Sequence, residues 1–557
     1  MDDRSRSRSL QSLRKPAYRK QRASIACEVC RSRKSKCDGA TPQCGFCERV
    51  GAQCNYVPLT ERPEDRYENE KNETQTRLAA LELEVQQLHR IVSTLQKNQN
   101  QPQLQSPAAM SGSESDDRIA ASHLRVPRIT DNMTANIDFD MTSYLTELEL
   151  ETLTPSSSTS TSRPAELFDA RLMSAFFDRI HTWYPIFDQS SFEAEYVLAS
   201  TRPFIPSSRS FLYLMVSAIG ALTLRLENGA CRDSNEHAAH AFQMLHIVMS
   251  DHHLTGAQCL LLCAIYHLLC FKPSQAYEYL LSASYKIQNL YRRNQGRNVV
   301  NTELCRRAFY ALYIMEGELL VQLNHAESGI STLAENVSLP SGTFENGNVD
   351  GGTIVFFLAE IAMRKMMEST DRNLAMKTWV SRDQSQSEFR YAIILAKEME
   401  FQAAEWRSHL PLSIAFPDAG FCSSDLSLYL QMQYNAQICG IHWHALYKAV
   451  VMKDSSSDIS SGCQKCLRSF CSFVDSAADF FSKPVMLPHI SMALASVFTI
   501  SLGVLLGRRA EISQEIEQLE ASFARAVEVL RRYGTIYPAV GHWADVLENR
   551  LRSDHWR

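Results

Sequence analysis

The first 22 residues contain no apolar run, so nothing in them reads as a secretory leader. Without a route to an oxidising compartment, a disulfide framework is not expected, and the 16 cysteines read as free thiols or metal ligands. Sustained period-two alternation is missing, which argues against a β-sheet body. No Gly-rich phosphate loop or other catalytic motif occurs, so an enzyme is the least supported class. Residues 485–507 contain no Asp, Glu, Lys or Arg. That run is long enough to span a membrane. It also holds Pro488, His489 and several hydroxyls and lacks an aromatic belt, so it is expected to be a buried core helix.

What is present is enough for more than one domain: 557 residues, 45% hydrophobic and 21% charged. The net charge of −5 hides an asymmetry. Residues 1–60 carry thirteen Lys and Arg against five Asp and Glu, a balance of +8, which leaves −13 for the rest. A basic end on an acidic protein predicts a polyanionic partner for that end.

Six cysteines crowd into residues 27–54, CEVCRSRKSKCDGATPQCGFCERVGAQC. Cys27, Cys30 and Cys37 follow C-x2-C-x6-C, and Cys44, Cys47 and Cys54 repeat it 17 residues later. A structural zinc ion takes four ligands in a tetrahedron. Three thiolates per half are one short for each of two ions, but six suffice if two are shared. The first cysteine of each half, Cys27 and Cys44, is the natural bridge. Such a site has no open coordination position, so it is structural and not hydrolytic. Its apolar side chains are mainly Val29, Phe46 and Val50, too few for a core, so zinc binding should supply the folding free energy. Arg31, Arg33, Lys34 and Lys36 lie in the first half, whereas Arg49 is the only cation between Cys47 and Cys54. The first helix is therefore expected to face a polyanion, its N-terminal end entering a DNA major groove while other cations hold phosphates. The competing reading is a zinc module that binds protein, in a nuclear scaffold or corepressor, with a merely solvated basic face.

The stretch ACEVCRSRKSKCDGATPQCGFCERVGAQCNY resembles the binuclear zinc cluster (Zn2Cys6) of fungal transcription factors. It fits that pattern at all six cysteines, at Arg31, Arg33, Lys34 and Lys36, at Asp38 and Gly39, at Pro42, and at Gly51 and Tyr56. The resemblance implies two zinc ions bridged by Cys27 and Cys44. It implies that Arg33 and Lys34 contact the bases of CGG-like triplets in double-stranded DNA. Arg31 and Lys36 are expected on phosphates. Residues 172–196 and 303–323 look like parts of the large helical regulatory domain of the same family. Nuclear localisation and RNA polymerase II transcription follow from the resemblance, and control of metabolic or secondary-metabolite pathways is common among its members.

The remaining segments fall into place around the cluster at 24–57. Residues 1–23 are expected to be a disordered basic arm whose Arg14–Arg22 portion suits nuclear import and added phosphate contacts. A charged linker at 58–76 precedes Leu78, Leu81, Val85, Leu88, Val92 and Leu95, spaced alternately three and four apart. This heptad over 77–96 predicts a short parallel coiled coil and hence a homodimer. Residues 97–163 read as a second disordered linker. Within it, 136–153 interleaves acidic and apolar residues without a single base, as in segments that dock into a coactivator groove. The alternative is a short helix packed on the domain that follows. From 164 to 545 the pattern is helical, with a capping box expected at Ser190 and Glu193 and a tail at 546–557. Cys463, Cys466 and Cys471 lack a fourth ligand and read as packed side chains, as do Cys259, Cys263 and Cys270. The expected architecture is a small Zn2Cys6 cluster, a short parallel coiled coil and a large all-α regulatory domain, joined by disordered linkers.

Overall fold

The chain divides into two compact units, residues 1–111 and 112–557. The computed structural model describes residues 26–56 of the first. Of the second it describes 133, 139–151, 168–227, 236–293, 302–344, 353–374, 386–417, 422, 424–483, 487–510 and 518–553. The coiled-coil positions Leu78, Leu81, Val85, Leu88, Val92 and Leu95, the arm 1–23 and the linker 58–76 lie outside the described residues.

In the first unit two short helices, α1 (Glu28–Ser32) and α2 (Gly45–Val50), begin directly after Cys27 and Cys44. The buried side chains here are Cys27, Cys30, Cys44 and Cys47, while Val29 and Phe46 are only partly buried and Val50 is exposed. Sulfur takes the place of an aliphatic core.

Among its described residues the second unit forms helices and no β-strand. The first helix with described bounds is α3 (Met141–Glu151). The long helices that follow are α4 (Ser208–Glu227), α5 (Leu254–Leu269), α6 (Pro273–Arg293), α7 (Glu303–Gln322) and α8 (Thr353–Leu374). Then come α9 (Gln386–Ser408), α10 (Asp425–Val451), α11 (Ser457–Phe480), α12 (Ile490–Val504), α13 (Leu519–Gly534) and α14 (Pro538–Arg552). The pairs α5–α6 and α10–α11 form helical hairpins across short connections. The charge-free run forms α12, which packs against α7, α11, α13 and α14. Among the described residues Ser208–Leu226 and Ile490–Arg509 are long and apolar enough to cross a membrane, and the latter is 89% buried within the protein. Its apolar surface is thus spent on the core. Cys259, Cys263, Cys463, Cys466 and Cys471 are buried in the same core, and Cys270 is half-buried.

Helix α7 shows why a charged sequence can thread this interior. Thr302 caps it, its Oγ1 accepting the Cys305 N–H at 3.3 Å. The fully buried Glu303 accepts from Arg307 Nε at 2.8 Å, from Arg306 Nη2 at 2.9 Å and from the N–H groups of Ser341 and Gly342. Burial opposes the carboxylate charge, but these donors outweigh it and hold Glu303 at about 2.

Three expectations need correction. The acidic segment is not a free stretch of linker: α3 lies on the helical unit. Leu145 is fully buried, Phe139 packs on Phe498 with ring centroids 5.1 Å apart, and Tyr144 stacks on His542 at 5.1 Å. Glu149 accepts the Ser274 N–H at 2.8 Å and the Gln275 N–H at 3.0 Å, capping α6 from another helix. Upstream, Met133 is buried against Gly503, where a Cβ would come within 2.9 Å of the methionine Cβ. The Ser190–Glu193 pair does not form a capping box, because Asp188 is the N-cap and Ser190 Oγ donates to it at 3.0 Å. The tail does not begin at 546 either: α14 continues to Arg552 and buries Leu547.

Glu149→Ala should strip the cap from α6 and weaken the α3 seat by about 1 kcal/mol. Hydrogen exchange should accelerate in 141–151 and at the start of α6, with the cluster unit unaffected. Because the Glu303 pKa is depressed, its contribution to stability is complete above the ordinary value of 4.5 and fades as pH falls towards about 2. The urea midpoint of the helical unit should drop over that window, and Glu303→Gln should lower it at neutral pH while flattening this acid dependence.

Candidate metal centre and nucleic-acid interface

Cys27 and Cys44 are the N-caps of α1 and α2, and at α2 the cap sulfur accepts a helix N–H. Cys44 Sγ accepts the Cys47 N–H at 3.5 Å, and Cys54 Sγ accepts the Cys44 N–H at 3.3 Å. Gly51 ends α2 at φ 62°, a left-handed position suited to glycine.

The six sulfurs collect into two overlapping groups of four. Cys27, Cys30, Cys37 and Cys44 form one, and Cys27, Cys44, Cys47 and Cys54 the other, the sulfurs of each group lying within 4.8 Å of one another. Cys27 and Cys44 belong to both. The separations are 3.7 Å for Cys27–Cys44, 3.7 Å for Cys27–Cys47 and 3.6 Å for Cys30–Cys44. A zinc tetrahedron with Zn–S bonds of about 2.3 Å has sulfur–sulfur edges of about 3.8 Å. The spacing therefore fits tetrahedral thiolate coordination. Without a cation the thiols are held unevenly. Backbone N–H donors hold Cys27, Cys37 and Cys44 below the ordinary thiol value, whereas burial pushes Cys30 up to about 12 and raises Cys47 as well. A divalent ion resolves this conflict.

The surrounding bonds brace the cage. Asp38 accepts the Gly45 N–H at 3.1 Å and the Ala40 N–H at 3.3 Å, covering the start of α2. A Cβ on Gly45 would meet Asp38 Oδ2 at 2.8 Å, so the carboxylate occupies the space a side chain would need. Tyr56 donates to the Ala40 carbonyl at 3.1 Å and stands 3.6 Å from Cys37 Sγ. Gln43 donates to the Ala52 carbonyl at 2.9 Å, tying the second half to itself. The Asp38–Gly45 pair has no place in the spacing argument; a glycine immediately after a helix-starting cysteine was its one trace.

Arg31, Arg33, Lys34 and Lys36 are all exposed. Among the described residues their side chains make no hydrogen bond or ion pair, and Lys34 adopts φ 49°. Cys27, just ahead of α1, is buried, while Glu28 at its first turn is exposed. Arg33 is the C-cap, and Lys34 and Lys36 lie beyond it. The carbonyl end of α1 favours cations there. One rim of the cage thus presents four positive charges within six residues.

A closed thiolate cage with a basic rim is suited to holding metal ions while presenting positive charge to a polyanion. Residues 25–63 match the family model described as fungal Zn(2)-Cys(6) binuclear cluster domain, and residues 173–348 match fungal specific transcription factor domain. Over these residues the chain is similar to both domains of the fungal zinc-cluster transcription factors, which supports a transcription regulator. ecdB of Aspergillus rugulosus, named as a transcription factor, is 28% identical over 529 residues, 85% of each chain. The depudecin biosynthesis cluster-specific transcription activator DEP6 of Fusarium langsethiae is 44% identical over 61 residues, 11% of this chain and 10% of its own. The nitrogen assimilation transcription factor nit-4 of Neurospora crassa is 44% identical over 61 residues, 11% of this chain and 6% of its own. No solved structure matches the chain.

Stripping zinc with a strong chelator should unfold residues 26–56 while leaving the helical unit intact. Far-ultraviolet dichroism should then fall only slightly, while all six cluster thiols become reactive towards a thiol reagent.

Proposed function

We propose that the protein is a nuclear, sequence-specific regulator of RNA polymerase II transcription that holds two zinc ions per chain through six cysteines. Cys27 and Cys44 bridge the metals, and Cys30, Cys37, Cys47 and Cys54 each bind one. Membership of both sulfur groups supports the bridging role. Arg33 and Lys34 contact bases of CGG-like triplets, and Arg31 and Lys36 contact phosphates. The observation that carries this reading is the run of four exposed cations on the rim of a closed sulfur cage. The heptad positions Leu78, Leu81, Val85, Leu88, Val92 and Leu95 pair two chains, so that two triplets are read together. Arg14–Arg22 serves nuclear import. A coactivator that takes up residues 136–153 has to lift α3 from its seat. Control of a biosynthetic gene cluster is the regulatory role favoured, on the strength of the depudecin-cluster activator among the relatives.

Selection from random DNA with the zinc-loaded full chain, at two salt concentrations, tests the reading. Enrichment of paired CGG-like triplets at fixed spacing is expected, with two zinc ions per chain by metal analysis. Lys34→Ala should cost about 1–3 kcal/mol and relax the base preference. Arg31→Ala should weaken all sequences alike and reduce the salt slope by about 1. Binding that is insensitive to salt, or absent with zinc in place, would shift the function to a protein-binding scaffold. Equal losses on specific and random DNA for Lys34→Ala would remove its base-reading role.

A further inference from the structure

Between α7, α8, α10 and α12 lies a cavity of about 100 Å³. Its polar lining includes Glu318, Arg364 and Gln433, and its apolar lining includes Met367, Met432 and Phe473. Met133, from the segment ahead of α3, lines it as well. An apolar cavity that holds benzene measures about 150 Å³, so this one suits a body of about four to six non-hydrogen atoms.

The polar lining is matched in charge and incomplete in hydrogen bonds. Arg364 pairs with Glu318 through Nη2, one cation against one carboxylate. Gly317 makes room for the arginine: a Cβ there would meet Arg364 Cδ at 2.5 Å. The bond to Glu318 is the one that Arg364 makes among the described residues, and its Nε is buried without a partner there. Gln433 directs its amide nitrogen at Tyr429 Oη (2.9 Å), Glu318 Oε1 (3.3 Å) and Glu360 Oε2 (3.3 Å). The Glu318 carboxylate needs a donor, which fixes the amide this way round and leaves Gln433 Oε1 without a partner among the described residues. Arg364 is 4% exposed and Gln433 6%, so bulk water satisfies neither. Glu360 does not line the cavity, and burial raises it to about 8, so it is mostly protonated at neutral pH. Asp371 lines the cavity but has a partner of its own. Ser496 and Gln437, also on the wall, donate to the Met492 carbonyl at 3.0 Å and to Thr370 Oγ1 at 2.8 Å. One donor group and one acceptor group are therefore left open beside an ion pair that is already neutral.

We propose that this cavity is a binding site for a small neutral carboxamide. The ligand carbonyl accepts from the Arg364 guanidinium, an amide hydrogen goes to Gln433 Oε1, and the alkyl body rests on Met367, Met432 and Phe473. A buried donor and a buried acceptor are costly to leave unmade, and a carboxamide supplies the missing half of both. Its planar carbonyl also suits the planar guanidinium fork. A carboxylate would be set against Glu318 and an ammonium against Arg364, so either ion would lose its hydration without gaining a free counter-charge. A ketone can only accept and leaves Gln433 Oε1 bare. The two methionines are adaptable enough to close around an alkyl chain.

The test is methyl NMR on the zinc-loaded full chain, labelled with ¹³C-methyl methionine and titrated with n-butyramide. Saturable shifts are expected at Met133, Met367 and Met432, with the other methionines little affected. Methyl propyl ketone, which has a methyl group in place of the NH2, should bind about tenfold more weakly, and so should n-pentanol. n-Butylammonium chloride and sodium butyrate should leave the resonances unmoved. Gln433→Met removes the acceptor and should bring butyramide down to the affinity of the ketone. Ala436→Leu, which fills the cavity from α10, should abolish binding. The proposal fails if butyramide produces no saturable shifts, the result for a cavity that takes only water. It fails equally if the ketone, the alcohol or either ion binds as tightly as the amide, or if both variants, folded by their melting curves, bind as the parent does. The ligand series on the parent chain decides the matter where a variant does not fold.

Discussion

Six sulfurs within one small cage are the constraint on which the DNA-facing unit depends. As thiols they would be a poor core, small and weakly cohesive. As thiolates they would repel one another across separations of 3.6–3.7 Å. Only a metal makes the arrangement attractive, and it does so without a hydrophobic interior. The cost of that economy is that everything else must be arranged around sulfur. Helix starts are given to Cys27 and Cys44, the space beside Gly45 is given to Asp38, and the basic residues are left on the outer rim. Affinity for a polyanion is in this sense a by-product of having no core to bury side chains in.

The helical unit solves the opposite problem. It has interior to spare and places charges in it, each under different terms. Glu303 is surrounded by donors from its own helix and from the loop at Ser341 and Gly342, so it is ionised and structural. Glu149 is a carboxylate lent by one helix to the bare N–H groups of another. Around Gln433 both kinds of group lack partners among the described residues: Gln433 Oε1 and Glu360 Oε1 as acceptors and Arg364 Nε as a donor. The pairing is fuller in the first two environments than in the third.

The cluster was the most legible part of the sequence because metal geometry is local. Ligand spacing, the need for four bonds and the missing core can all be argued from thirty residues. What remained hidden depended on position in space. A run of four cations shows that a rim is basic, but not that it lies at the carbonyl end of α1. Residues 136–153 have a composition that suits either solvent or a packed helix; the groove near Phe498 and His542 decides, and it is built some 350 residues further on. Ser190 and Glu193 have the spacing of a box, yet the helix begins two residues earlier, and Asp188 at its N-cap takes up the Ser190 hydroxyl. The helical period and the charge-free run at 485–507 did announce an all-α body with α12 at its centre. The meeting of Glu318, Glu360, Arg364 and Gln433 could not be read, since none of the four belongs to a motif.

The seat of α3 also bears on where this protein can be cut. Judged by composition, residue 164 is the natural place to begin a fragment of the helical unit. Such a fragment would lose Met133, Phe139, Tyr144, Leu145 and Glu149 together. It would leave Phe498 and His542 uncovered, Gly503 facing an empty notch and the Ser274 and Gln275 N–H groups bare. Sticky behaviour of that fragment in solution would reflect a misplaced boundary, not an unstable domain.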